Sequence, residues 1–139
     1  MKRYEYHHVV GFEDTNLVGN VYFAKFVSWQ GKCRELFIKE KVPGIVELIE
    51  KNDISIITLS CSCNYLAELK AFDEIIISLQ LDKVINNRVS MLFQYFKKGA
   101  DLKLIATGTH EIGFFKRTDD GLMSIPIPLS FQSAMDGYQ

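Results

Sequence analysis

One long helical pattern, from residue 21 to about residue 40, constrains this chain more than anything else in it. Apolar side chains cover most of its circumference, and Pro43-Gly44 stops it. Placed at about 100° per residue, Lys25, Lys32, Glu35 and Lys39 share one narrow stripe. Tyr22, Phe26, Trp29, Cys33, Leu36 and Phe37 fill a broad sector beside it. Ala24, Ser28 and Gly31 make a line of small residues open to close approach by another backbone. A helix this apolar has to be enclosed, and the material left to enclose it is extended chain.

Arg34 breaks the order. It projects nearly opposite the charged stripe, between Phe23, Val27 and Gln30. Burying an unpaired cation is expensive. Either Arg34 snorkels or pairs with a buried carboxylate for structural reasons, or it is a functional guanidinium.

Residues 3–12 are rich in aromatic and β-branched types and predict a first strand. His7 and His8 are adjacent in it, so they point to opposite faces and one is exposed. A polar loop follows over residues 13–20, where Gly19 and Asn20 suit a turn with positive φ and Asp14 fits as a turn residue. Residues 43–52 predict a short amphipathic helix.

Thereafter the period changes from 3.6 to 2. Residues 54–69 set Leu59, Cys61, Cys63 and Tyr65 against Thr58, Ser60, Ser62 and Asn64, and the length of the segment predicts a bulge near residues 66–70. Residues 74–84 put Ile75, Ile77, Leu79 and Leu81 on one face, and Asn86-Asn87 signals a hairpin. Val89, Met91, Phe93 and Tyr95 mark the next strand. Residues 102–117 form the last, with Leu104, Ala106, Gly108, His110, Ile112 and Phe114 sharing a parity. A tail containing Pro126 and Pro128 closes the chain. One strand, a loop, a long helix and about four further antiparallel strands predict a single α+β domain over residues 1–139, its sheet curved around the helix.

Composition removes several classes of function. A net charge of −1 and a pI near 6.3 give no electrostatic basis for binding nucleic acid or an anionic membrane. No apolar run reaches transmembrane length, and Met-Lys-Arg-Tyr-Glu lacks the apolar core of a signal peptide. Three cysteines without CxxC spacing fit a reduced, cytoplasmic protein, with Cys61 and Cys63 as small buried residues. No metal or other cofactor is expected. There is no Gly-x-Ser-x-Gly elbow for a serine hydrolase, and Cys33 has no neighbouring histidine to make it a nucleophile. The small-residue line and the surplus of apolar strand faces predict a homo-oligomer.

The loop and helix also carry a resemblance. Asn16-x-x-Gly19-Asn20-Val21-Tyr22, with Arg34 twelve residues after Tyr22, resembles the 4-hydroxybenzoyl-CoA thioesterase-like branch of the hotdog fold. Thr15-Asn-Leu-Val-Gly-Asn-Val-Tyr-Phe23, Ser28-Trp-Gln-Gly-Lys-Cys-Arg-Glu35 and Cys61-Ser-Cys-Asn-Tyr-Leu-Ala-Glu68 resemble more closely the thioesterases of enediyne polyketide biosynthesis. The similarity covers most of the chain. It implies a long central helix wrapped by a curved antiparallel sheet of about five strands, in a dimer or tetramer with sites at subunit boundaries. The implied substrate is a thioester, a polyene β-keto chain on the acyl carrier domain of an iterative polyketide synthase.

One departure from the broader branch decides the chemistry. Asn16 stands where many such enzymes carry a catalytic Asp, and Asn20 where a His is common. An amide is neither a nucleophile nor a base at neutral pH, but it donates hydrogen bonds. The resemblance therefore implies that Asn16 and Arg34 hold the thioester and stabilise its oxyanion while water attacks; on local grounds alone, Asn16 is a residue tying its own turn. Tyr22 either adds a hydroxyl near the thioester or simply starts the helix. Glu68 is the buried partner of Arg34, a positioner of water, or a surface carboxylate. Gly19 and Asn20 belong to the substrate loop, and Phe23, Val27, Leu59 and Tyr65 fit an apolar tunnel. Two other readings stay open: a general acyl-CoA thioesterase of the same fold, and a non-catalytic acyl-binding subunit.

Overall fold

The computed structural model describes residues 2–139. An antiparallel sheet runs in the order β1-β3-β4-β5-β2, built from β1 (Tyr4–Val9), β2 (Ser55–Tyr65), β3 (Glu74–Ile85), β4 (Arg88–Lys97) and β5 (Lys103–Thr118). The long helix α1 (Phe23–Lys41) packs on one face of this curled sheet and the short helix α2 (Ile45–Glu50) follows it. The expected α+β architecture is therefore present, with α1 starting two residues later than the pattern predicts.

Alternation holds in β4, and in β3 the expected face is buried together with Ile76 and Ser78 of the opposite face. Ile75, Ile77, Leu79 and Leu81 of β3 and Val89, Met91, Phe93 and Tyr95 of β4 are all buried in one cluster with Phe26, Trp29, Cys33 and Phe37 of α1. Burying each large side chain contributes about 1.5–3 kcal/mol. The buried Tyr95 hydroxyl is satisfied by donating to the Phe26 carbonyl at 2.6 Å. Asn86 turns the β3–β4 hairpin with φ +57°, a conformation asparagine tolerates.

Two bulges change what simple alternation predicts. In β2 the register slips between Thr58 and Ser60, so Thr58 opposes Ile112, Ser60 opposes Glu111, and Leu59 is the extra residue. Thr58 is thereby turned to the face of Ile112 and His110, the face that alternation assigns to Leu59. The bulge lies earlier than expected. The strand ends at Tyr65, where the Leu66 and Ala67 N–H groups both donate to the Ile105 carbonyl. In β5 the slip faces Tyr95 and Phe96 and makes Ile105 the extra residue. Ile105 is buried, and Leu104, expected inside, is 36% exposed. Cys61 is exposed and Cys63 half-buried, not enclosed as expected, because β2 is an edge strand with β5 as its one neighbour.

The C-terminal tail is ordered into two more elements. β6 (Gly121–Ser124) pairs with the end of β5, and α3 (Leu129–Tyr138) follows Pro128. Phe131, Met135 and Tyr138 recur at helical spacing and are buried. Phe131 meets Phe114 at 5.0 Å and Tyr138 meets Phe37 at 5.1 Å, closing the core over one end of α1.

Candidate active site

Residues 14–22 form a tight hairpin at the N-terminal end of α1. Asn16 N–H donates to the Asn20 carbonyl at 2.8 Å, Gly19 N–H to the Asn16 carbonyl at 3.0 Å, and Tyr22 N–H to the Asp14 carbonyl at 2.9 Å. Gly19 takes φ +90°, which a side chain would strain. Asp14 is more than a turn residue. Its buried carboxylate accepts the Gly11 N–H at 3.0 Å and faces His8 Nε2 at 3.2 Å and Lys25 Nζ at 3.8 Å. His8 packs on Trp29 at 4.8 Å while His7 points outward, as adjacent strand residues must.

Asn16 plays the local part foreseen for it, but with one atom only. Its Oδ1 accepts the Val18 N–H at 3.1 Å. That bond fixes which end of the amide is committed to the turn and leaves Nδ2 as the end that can donate elsewhere.

Beside the hairpin lies a cavity of about 170 Å³ lined by Asn20, Val21, Phe23, Phe26, Tyr65, Ala67, Glu68 and Leu69. Tyr65 Oη donates to the Phe23 carbonyl at 2.9 Å, joining the end of β2 to the start of α1. Asn20 Nδ2 donates to Glu68 Oε1 at 3.1 Å, and Asn20 Oδ1 is buried without a partner. Glu68 is exposed and serves Asn20. Within one chain it makes no ion pair with Arg34, whose side chain bonds Thr58 instead. Tyr22 caps α1 without a side-chain bond, half exposed, its ring 4.7 Å from that of Phe23.

Arg34 sits elsewhere, about 18 Å along the helix axis from Tyr22 at 1.5 Å per residue. Its Nη1 donates to Thr58 Oγ1 at 2.7 Å and approaches His110 Nδ1 at 3.4 Å. Burial lowers the pKa of Arg34. Burial and the adjacent Arg34 charge pull His110 down to about 4, so the imidazole is neutral at physiological pH. Val27 is half-buried and Leu59 packs over Gly113 at the β2 bulge, and neither lines the loop cavity. One chain thus gathers Asn16, Gly19, Asn20, Phe23, Tyr65 and Glu68 at one end of β2 and leaves Arg34 at the other.

Thr58 and His110 were not foreseen. His110 had a visible signal, a histidine in the same parity as Ile112 and Phe114, whereas Thr58 was hidden by the bulge. Cys33 is buried with its Sγ 3.7 Å from the Ile77 carbonyl, and burial pushes the thiol up to about 12, which makes it inert. Among the described residues no group of His, Cys, Asp and Glu is arranged to hold a metal, and no helix is long and apolar enough to cross a membrane.

A long helix against a curled antiparallel sheet is the hotdog arrangement, and the family match makes the class a hydrolase of thioesters. The chain belongs to the thioesterase-like superfamily, whose model matches residues 10–135. It is similar to the dynemicin thioesterase, whose crystal structures describe induced-fit and allosteric effects upon polyene binding. The identity is 34%, over 99% of this chain and 97% of that one, with a TM-score of 0.93. A 1,4-dihydroxy-2-naphthoyl-CoA thioesterase from Synechocystis shares the fold at 17% identity, over 97% of this chain and 96% of that one, with a TM-score of 0.86. So does the 4-hydroxybenzoyl CoA thioesterase of Pseudomonas sp. strain CBS-3, at 16% identity over 96% and 99%, with a TM-score of 0.83. Comparison with curated proteins gives no match.

Proposed function

We propose that the protein releases a polyene β-keto chain from the acyl carrier domain of an iterative polyketide synthase in enediyne-type biosynthesis. Asn16 and Arg34 serve as hydrogen-bond donors and water is the nucleophile. The observation that carries this reading is the Asn16 amide, whose oxygen is held by Val18 N–H so that Nδ2 is free to donate. Likeness to the dynemicin thioesterase along 99% of the chain supports the substrate class. Water adds to the thioester carbonyl and its proton passes to solvent. The oxyanion is held by the two donors, each typically worth about 3 kcal/mol. Collapse expels a thiolate, a leaving group that needs little acid assistance. Glu68 holds Asn20 at the rim, and the Tyr22 hydroxyl faces the thioester. Gly19 shapes the loop, while Phe23 and Tyr65 line the cavity that receives the chain.

Two copies complete the site. Tyr65 stands by the loop cavity and Thr58 holds Arg34, seven residues away on the open edge of β2. A two-fold axis crossing that edge at Ser62, with Leu59 bulged out of the count, sets Thr58 of one copy opposite Tyr65 of the other. Arg34 of each chain then reaches the other's loop. The small residues Ala24, Ser28 and Gly31 remain uncovered within one chain and suit such contact, in a dimer or a pair of dimers.

Short acyl-CoAs and a carrier-loaded polyene, offered to the purified protein, test the substrate. Preference for short acyl-CoAs would overturn the assignment. Mixing Asn16→Ala chains with Arg34→Ala chains should restore turnover that neither has alone. A stable monomer by light scattering at micromolar concentration would sink the shared site.

A further inference from the structure

We propose that His110 is the positioning residue of Arg34: with Thr58 it commits both hydrogens of Nη1 and leaves the Nη2–Nε edge of the guanidinium free for the thioester. This rests on Arg34 acting as an oxyanion donor. Nη1 carries two hydrogens, and two acceptors face it, Thr58 Oγ1 at 2.7 Å and His110 Nδ1 at 3.4 Å. Among the described residues no carboxylate forms an ion pair with Arg34; Glu35, next to it in sequence, is paired with Lys32. A charged partner would neutralise the guanidinium that the oxyanion needs. Neutral acceptors orient it and leave its charge intact.

The histidine is hard to explain as core packing. It is 4% exposed, its ring lies 4.8 Å from Phe93, and its register neighbours are Met91 and Cys61. An apolar side chain would fill that place at less cost. With Nδ1 accepting from Arg34 the ring proton sits on Nε2, and Nε2 is buried with no partner. A structural histidine in a core satisfies both nitrogens. Among the described residues this one leaves half its polar capacity unused, and its one polar contact is to Arg34. The groups facing it are Arg34 from α1, Thr58 and Cys61 from β2, and Phe93 and Met91 from β4, and among the described residues none but Arg34 bonds Nδ1.

The test uses an acyl-CoA thioester that the wild-type enzyme turns over, with kcat, KM and thermal unfolding measured for each variant. His110→Leu should lower kcat about ten- to hundredfold through misplacement of the guanidinium, with KM little changed and Tm unchanged or raised. His110→Asn, whose Oδ1 falls near the position of Nδ1, should recover most of the lost kcat. In an Arg34→Ala background His110→Leu should add no further loss, because the two act as a unit. Wild-type kcat in His110→Leu, with turnover lost in Arg34→Ala, overturns the role of His110 and leaves that of Arg34 standing. Full turnover in Arg34→Ala overturns the donor role itself. Additive losses in the double variant, or a His110→Asn enzyme as slow as His110→Leu, also overturn the proposal. If His110→Leu fails to fold, His110→Asn and the double-variant comparison made with it decide.

Discussion

The Gln30 side-chain amide lies directly on the α-carbon of Gly108, so closely that a β-carbon there would stand 2.7 Å from Gln30 Cδ. Gln30 is fully buried, and its Nε2 donates to the Ser62 carbonyl at 3.0 Å, tying α1 to β2 across β5. Gly108→Ala should therefore expel the amide, break that bond and cost about 1–3 kcal/mol. Chemical denaturation measures the loss. Adding Gln30→Ala to Gly108→Ala should recover part of it, and a Gly108→Ala protein as stable as wild type would mean the helix has room to shift.

Asn16→Asp is expected to reduce turnover by about a hundred- to thousandfold, the usual effect of losing one fixed donor. A carboxylate can still accept the Val18 N–H, so the hairpin keeps its shape and the substitution removes only the donor. Unchanged melting with reduced kcat is the expected pair of results. A gain in turnover would show that a carboxylate at this position serves the enzyme better than an amide.

Stability should fall as the pH drops from about 6.5 to about 4, through His110. In that window the unfolded chain binds a proton that the folded chain refuses, because burial and Arg34 hold the folded-state pKa down. The contribution is fully present above the ordinary histidine pKa. It is lost as pH falls towards the depressed one, reaching roughly 3 kcal/mol at the acid end. Urea midpoints at about pH 4.5 and about pH 7.5 for wild type and His110→Leu isolate the effect from the carboxylates. Equal slopes in the two proteins would contradict it.

Glu68→Gln should leave both fold and rate within a few-fold of wild type, since an amide oxygen can still accept from Asn20 Nδ2. A loss of more than about a hundredfold, the scale of a lost catalytic group, would restore Glu68 to a chemical role.

The parts of the fold legible in the sequence are those where one face of an element meets one neighbour. Val89 to Tyr95 alternate cleanly because α1 covers a single side of β4, and the same parity marks Ile75 to Leu81 although Ile76 and Ser78 of β3 are buried on the other face as well. The final helix was obscured by composition: Ser130, Ser133 and Gly137 dilute the stripe of Phe131, Ala134, Met135 and Tyr138. The hairpin carrying Asn16 was visible from its glycine and asparagines, whose local preferences decide the turn. Arg34 was visible as a misplaced charge, but its partners were not. Thr58 and His110 come to it through the pairing of β2 with β5, which no local signal predicts.

The bulge at Leu59 makes β2 tolerant of one change in length at one position. Elsewhere in the strand, losing or gaining a residue would invert every side chain beyond the change. At Leu59 the partner strand has no residue to match, since Thr58 and Ser60 already face the consecutive residues Ile112 and Glu111. A chain lacking Leu59 closes into a regular ladder with Thr58 still towards Arg34 and Tyr65 still towards the cavity. Deletions that survive in this strand should therefore cluster at a single codon, even where substitutions around it are lethal.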